Sequence, residues 1–129
     1  MMVPAPIRPD LTAYREATAK AFPELVTELA GIIGKKLTAY ISGGKDVRAL
    51  DRCIEGAAPY KDVEERLRFA FRVVRTLHNR DHASVVQAWL IGLNPELDDR
   101  APIRLLREGD IGKVGPEILS AVRAFVAGG

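Results

Sequence analysis

Apolar side chains recur at steps of three and four residues along most of the chain, which is the spacing of one face of an α-helix. The longest such run predicts a helix over residues 61–79, with Val63, Leu67, Ala70, Phe71, Val74 and Leu77 on its buried face. No stretch alternates apolar and polar residues between turn signals, as a half-buried strand would. The pattern therefore predicts an all-α protein, with residues 61–79 as its central core helix.

Glycine, proline and capping residues divide the remaining pattern into shorter helices. We predict helices over residues 11–22 (capped by Asp10), 23–33, 37–41 and 46–55, then one capped by Asp81, one that begins at Pro102, and a last one that begins at Pro116. Residues 1–10, which are rich in proline, are expected to form a flexible arm. At 129 residues the chain has the size of one domain.

The stretch from Val85 to Gly109 predicts a helix, a sharp break and a second helix. Gly92 can end the first helix in a left-handed conformation, and Asn94-Pro95 cannot continue it. Pro102 then starts the next helix. Trp89, the only tryptophan, lies one turn before the break on a face that it shares with Val85 and Val86. We therefore expect an aromatic residue to anchor a tight corner.

Composition and charge narrow the class of protein. No apolar run is long enough to span a bilayer and no secretory leader is recognisable, so we expect a cytoplasmic protein. Cys53 is the single cysteine and cannot form an internal disulfide. Residues 57–80 carry six basic and three acidic groups, whereas residues 81–129 carry five and seven. This asymmetry suggests two different partner surfaces, although an ordinary patchy surface would explain it equally well.

The segment Ser42-Gly43-Gly44-Lys45-Asp46 allows two interpretations. It resembles a phosphate-binding loop, but Val47 stands where the pyrophosphatase-type ATP loop has a serine, and no strand precedes it. The other interpretation is a helix-turn-helix, with residues 37–41 as the positioning helix and residues 46–55 as the recognition helix. The DNA-contacting residues would be Lys45, Arg48 and Arg52 on an outward face, while Val47, Leu50 and Ile54 face inward.

Other polar residues of the chain give weaker signals. Arg68, Arg72 and Arg75 form a stripe that is either a solvated flank or a contact for phosphates or an acidic partner. His78 and His82 are four residues apart, but a predicted helix end separates them, and no third metal ligand lies nearby. We therefore predict no metal, no cofactor and no catalytic site, with Cys53 as a small core residue.

The corner and the helix-turn-helix together resemble the Xre/MbcA/ParS antitoxin family. The residues that match the toxin-binding domain of this family are Trp89, Gly92, Asn94, Pro95, Asp98, Pro102, Leu105, Leu106 and Gly109. Those that resemble its N-terminal helical region are Gly34, Leu37, Thr38, Ala39, Asp46, Val47 and Gly56. The likeness covers about residues 24–129, with two departures: Cys53 lies where relatives often carry an aromatic, and the recognition helix is mixed in charge.

The resemblance implies a non-enzymatic antitoxin of a type II toxin–antitoxin system, which blocks the active-site cleft of a RES-type, NAD-degrading toxin. It also implies a homodimer that regulates its own operon. Residues 11–58 would be the helix-turn-helix-like region and residues 59–129 the toxin-binding region. The predicted toxin-binding residues are Glu96, Asp98, Asp99, Ile118, Val122, Phe125, Val126, Gly128 and Gly129. Plain core packing of the last helix, and a DNA-binding regulator without a toxin partner, remain the alternatives.

Overall fold

Eight α-helices and one short 3₁₀ helix make up the part of the chain that the computed structural model describes, residues 9–128. The α-helices are α1 (Pro9–Ala19), α2 (Phe22–Ile33), α3 (Lys35–Ser42), α4 (Arg48–Ile54), α5 (Lys61–His78), α6 (Ala83–Ile91), α7 (Pro102–Glu108) and α8 (Ile111–Gly128). The 3₁₀ helix spans Pro95–Leu97. Within these residues there is no strand, so the prediction of a single all-α domain is confirmed. Residues 1–8 of the predicted arm, and Gly129, lie outside the described residues.

The central helix of the fold is α5, as its apolar spacing predicts. Its buried residues are Leu67, Ala70, Phe71, Val73, Val74, Thr76 and Leu77. Around it pack α1, α2, α3, α6, α7 and α8, while α4 packs on α2 and α3. Phe71 is completely buried, as are Leu25 and Leu29 of α2 and Leu90 of α6. One continuous core therefore joins the N-terminal and C-terminal halves of the chain.

Arginines at the edge of α5 tie α1 and α2 to it. The Arg68 guanidinium donates to the carbonyl oxygens of Ala17 and Lys20 at 2.9 and 2.8 Å, which satisfies the C-terminal end of α1. Arg75 lies 3.7 Å from a carboxylate oxygen of Glu16 and 3.7 Å from one of Glu28. The predicted solvated flank or phosphate contact is therefore wrong for Arg68 and Arg75, because both bridge helices.

Three predicted start signals, Asp10, Asp81 and Pro116, do not mark the starts of their helices. Helices α3 and α4 begin at Lys35 and Arg48 rather than at residues 37 and 46. Helix α1 begins at Pro9, before its expected cap Asp10. The N-cap of α6 is His82 rather than Asp81, and no side chain caps this end. Helix α8 begins at Ile111 and carries Pro116 inside it. The earlier start follows from Asp110, whose side chain accepts the N–H of Gly112 at 2.9 Å.

We expect Phe71→Ala to lower the free energy of unfolding by about 3–5 kcal/mol, because it opens a cavity in the centre of the core. Urea denaturation measures the change. Tyr60→Ala is the matched control, since the Tyr60 side chain is 82% exposed, and we expect it to change stability by less than about 0.5 kcal/mol. Equal losses for the two variants would contradict the central role of α5.

Candidate functional site

The corner after α6 is a short loop that Asn94 closes. The Asn94 side-chain oxygen accepts the backbone N–H of Glu96 at 2.9 Å. The backbone carbonyl oxygen of Asn94 accepts the N–H groups of Leu97 and Asp99, each at 2.9 Å. Its own N–H donates to the carbonyl of Arg100 at 3.2 Å. One residue therefore fixes both ends of the loop, which explains why asparagine suits this position.

Gly92 does not have the left-handed conformation predicted for it. Its φ and ψ are −70° and 152°, so the chain leaves α6 in an extended conformation. The extended exit carries the chain on to Asn94, which is also extended and pairs with Arg100. Pro102 is the first residue of α7, as predicted. The corner is therefore built by the loop and by Pro102, not by a glycine cap.

The loop presents three carboxylates to solvent, those of Glu96, Asp98 and Asp99, which we call the acidic loop. The Asp98 side chain is 96% exposed. Asp98 and Asp99 have φ values of 56° and 59°, a left-handed conformation that aspartate tolerates better than most residues. Leu97, which lies between Glu96 and Asp98, is 1% exposed and anchors the loop to the core. The acidic loop is therefore held in a fixed shape with its charges pointing outward.

An apolar groove lies beside the acidic loop. The Trp89 ring packs against Phe125 of α8 with ring centroids 6.4 Å apart and planes inclined by 59°. Together with Leu93 and Pro95, these rings line a groove of about 340 Å³ that Glu96 borders; we call it the Trp89 groove. Leu93 is 73% exposed. The predicted aromatic anchor is thus present, and it forms one wall of an open depression.

Apolar residues of α6 are divided between the core and the surface. Val86 is completely buried, as expected, but Val85 is 37% exposed and does not share the buried face. Ile91 is 55% exposed at the end of the helix and directly precedes Gly92, which lines the Trp89 groove. Exposed apolar residues beside a groove are typical of an interaction surface.

The predicted toxin-binding residues of α8 do not form one surface. Ile118 and Val122 are 0% and 2% exposed, so the prediction that they contact a partner is wrong: they belong to the core. Phe125 faces the Trp89 groove, whereas Val126 lines a different groove between α5 and α8. Gly128 is exposed at the end of the helix. Phe125 and Glu96 of the acidic loop line the same groove.

The predicted helix-turn-helix corresponds to α3 and α4, joined by residues 43–47. Leu50 is buried and Val47 and Ile54 pack against the core, as predicted. Arg48 and Arg52 are exposed on α4. Lys45, however, lies in the turn before the helix, so the three cations do not share one helical face.

One of the two cations of α4, Arg48, is already paired within the protein, and Asp51 of α4 pairs with Lys35 of α3. The Arg48 guanidinium donates to the Asp46 carboxylate at 2.9 and 3.1 Å, and these hydrogen bonds hold the pKa of Asp46 below its ordinary value. Lys35 pairs with Asp51 at 2.7 Å. The exposed face of α4 is therefore mixed in charge, as the sequence indicates.

Two arginines that the sequence analysis missed hold the turn after α3. Arg66 of α5 donates to the carbonyls of Ile41 and Ser42 at 3.2 and 2.6 Å. Arg107 of α7 donates to the carbonyl of Tyr40 at 2.8 Å, and its guanidinium lies 4.5 Å from the centroid of the Tyr40 ring. No sequence signal reveals these contacts, because the partners are 24 or more residues apart.

This arrangement argues against a phosphate-binding loop at Ser42-Gly43-Gly44. A phosphate loop directs backbone N–H groups at an anion. Here the carbonyls of Ser42 and Gly44 instead accept hydrogen bonds from Arg66 and Arg107. Gly43 is left-handed, with φ 90°, and an added Cβ would lie 3.0 Å from the Arg66 side chain. The glycine is therefore required by the turn itself.

The other residues with a possible chemical role, Cys53, His78 and His82, do not form a catalytic or metal site. Burial raises the pKa of the Cys53 thiol above its ordinary value, which disfavours the nucleophilic thiolate. His78 hydrogen-bonds through Nδ1 to the carbonyl of Asp81 at 3.1 Å, and His82 is exposed at the start of α6. Among the described side chains, no three histidine, cysteine or acidic residues are grouped to hold a metal. Over the same residues, no helix has the length and apolar character needed to cross a membrane.

Comparison with family models, with curated proteins and with solved structures returns no match for this chain.

We expect Arg107→Met to lower the free energy of unfolding by about 1–3 kcal/mol, because it leaves partly buried carbonyls at the α3 turn without a charged donor. Arg104→Met is the matched control on the same helix. Arg104 is exposed and pairs with Glu108 one turn away, so we expect a much smaller loss than for Arg107→Met. Thermal and urea unfolding measure both, and an Arg104 effect as large as that of Arg107 would contradict this role.

Proposed function

We propose that this protein is an antitoxin that binds and neutralises a RES-type, NAD-degrading toxin by blocking its active-site cleft. The observation that carries the proposal is the acidic loop beside the Trp89 groove. Its three exposed carboxylates stand on a loop closed by Asn94, next to the exposed apolar residues Ile91 and Leu93. Catalysis belongs to the toxin, and the antitoxin supplies a complementary surface.

The physical character of this surface fits a protein partner. Apolar groups such as Leu93 and Phe125 supply the buried centre of an interface, while charged groups at its edge guide the encounter and suppress wrong partners. A loop that is already fixed loses little conformational entropy on binding. The acidic loop and the Trp89 groove combine these three properties within one short stretch of chain.

The resemblance to the Xre/MbcA/ParS family supplies the identity of the partner. Its characteristic residues Trp89, Asn94, Pro95 and Pro102 are the residues that build the corner. Gly109, another residue of the family pattern, follows the end of α7. Only glycine fits there, because an added Cβ would lie 2.7 Å from the carbonyl oxygen of Leu105. On this proposal the chain acts in the cytoplasm as a homodimer, and the acidic loop enters or covers the cleft of the toxin.

A DNA-binding regulator without a toxin partner is the second candidate. The observation that favours it is the exposure of Arg48 and Arg52, one turn apart on α4, with exposed Lys45 in the preceding turn. Arginines in this position can contact phosphates or guanine edges. The pairing of Arg48 with Asp46 reduces the charge available for such contacts.

We expect the triple variant Glu96→Gln, Asp98→Asn, Asp99→Asn to lose protection against the toxin. Asparagine also tolerates the left-handed backbone, so the loop keeps its shape while its charge is removed. The measurement is growth and cellular NAD on co-expression with the toxin, together with the Kd of the purified pair, which should rise about tenfold or more when charges at the interface are lost.

The matched control removes three exposed carboxylates elsewhere: Glu24→Gln, Glu55→Gln, Glu65→Gln. Its net charge changes by the same amount, and it should protect like the wild type. Deleting α8 is not a usable test, since it removes the core residues Ile118 and Val122. Equal protection by the two triple variants would contradict toxin binding through the acidic loop.

DNA binding is tested separately with Arg48→Ala, Arg52→Ala. If the chain is a regulator, binding to its own upstream region weakens in this variant and falls with rising salt. If it acts only as an antitoxin, the variant still neutralises the toxin, and no wild-type gel shift is seen at low salt. If this variant loses both toxin neutralisation and DNA binding, the result contradicts the separation of the two surfaces.

A further inference from the structure

A second groove runs between the C-terminal halves of α5 and α8. Of the residues predicted to bind toxin, it contains Val122 and Val126 but none of the acidic loop. One wall is formed by Arg72, Thr76, Asn79 and Arg80 of α5 and the segment after it, and the other by Leu119, Val122, Arg123, Val126 and Ala127 of α8. Both sets recur at steps of three and four residues, so each is one face of its helix. The groove has a volume of about 360 Å³, which is at the lower end for small-molecule sites.

The charge of this groove is unusual within the molecule. Three of its lining residues are arginines, Arg72, Arg80 and Arg123, and none is acidic. Among the described side chains, none of these three forms an ion pair. By contrast, Arg66 and Arg68 on the same α5 each pair with a carboxylate one turn away. Positive charge is therefore concentrated here, and none of the described residues that line the groove supplies a counter-charge.

The arginines are also incompletely bonded. The Nε of Arg72 is buried and has no hydrogen-bond partner, although its guanidinium lies 4.8 Å from the centroid of the Tyr14 ring. Arg80 donates to the carbonyl of Val126, which links the two walls. Arg123 is exposed at the rim. A guanidinium that lacks acceptors costs free energy, which an anion that accepts from its other N–H groups would offset.

The floor between these cations is apolar. Leu119 and Val126 are partly buried against the core, and Val122 beneath them is buried. An anion without apolar surface would leave this floor exposed to water, and an apolar molecule without charge would leave the guanidinium groups unpaired. The ligand that satisfies both has a short apolar body and one anionic head group.

We infer that the groove between α5 and α8 binds a small amphipathic anion, with its carboxylate or phosphate head on the arginines and its apolar tail along Leu119 and Val126. Guanidinium groups bind both kinds of head group through paired hydrogen bonds. This site is distinct from the acidic loop, whose charge is opposite. The inference about this site therefore does not depend on the proposed function.

Octanoate and octyl phosphate are the probes, with octanol as the uncharged control of equal chain length. We expect both anions to stabilise the full-length chain in thermal unfolding, and to shift the backbone amide resonances of residues 72–80 and 119–127. Octanoate should bind at least about tenfold more tightly than octanol, because charge-assisted hydrogen bonds are lost with the alcohol. The relative affinity of the two anions identifies the head group that the site prefers.

The position of the site is tested with Ala127→Glu and Ala127→Gln. Ala127 is exposed at the rim, so the glutamate places a competing carboxylate next to the arginines, and the glutamine adds equal bulk without charge. We expect Ala127→Glu to weaken octanoate binding about tenfold or more and Ala127→Gln to change it much less. Arg123→Met should weaken binding, whereas Arg52→Met on α4 should not.

Three results would overturn the inference. The first is equal affinity for octanol and octanoate, since the arginines would then not distinguish a charged head group from an uncharged one. The second is a set of resonance shifts outside the two helices, which would place the ligand elsewhere. The third is an unchanged affinity in both Ala127→Glu and Arg123→Met.

Discussion

The burial of one face of α5 is the constraint on which the rest of the structure depends. Leu67, Phe71 and Val74 lie inside the core, and six of the other helices pack around this helix. With its apolar face fixed, the arginines at its edges have fixed positions too. Arg66 and Arg68 therefore reach the carbonyl ends of α3 and α1. Charged groups in partly buried positions are stabilised there because each meets an acceptor, which offsets the cost of removing it from water.

Helix α8 separates two surfaces of opposite charge. Phe125 faces Trp89 and the acidic loop, while Val126, the next residue, faces the groove with three arginines. Successive residues of a helix point about 100° apart, so one helix can serve two sites without sharing side chains between them. Arg72 and Arg80 come from the basic segment 57–80, whereas Arg123 comes from the acidic segment 81–129, so the groove combines cations from both. An acidic patch is suited to a basic partner, and an arginine-lined groove is suited to an anion.

Local sequence patterns predicted where most helices lie. Most features that these patterns did not predict depend on contacts between residues far apart in the sequence. The spacing of apolar residues predicted α5 almost to its ends, and Pro102 marked the start of α7. Pro116 gave the wrong start for α8, because the cap at Asp110 acts earlier in the chain. Arg107 could not be assigned from sequence, since its partner Tyr40 is 67 residues away.

The candidate site was predicted in part. The acidic loop and Trp89 follow from residue type and position, but the burial of Ile118 and Val122 follows only from how α8 packs. A stripe of apolar residues along a helix has the same spacing whether it packs against the core or against a partner protein. The apolar groove beside the loop depends on α6 and α8 lying together, which no local signal in the sequence reveals.

Hydrogen exchange of the full-length chain, measured with and without a RES-type toxin, tests the central claim most directly. Amides that a partner covers exchange more slowly, and those on other faces keep their rates. Our account predicts protection of residues 91–100 and of the α8 residues around Phe125, with no change in α4. Protection confined to α4 and the turn before it, or none at all with the toxin present, would contradict it.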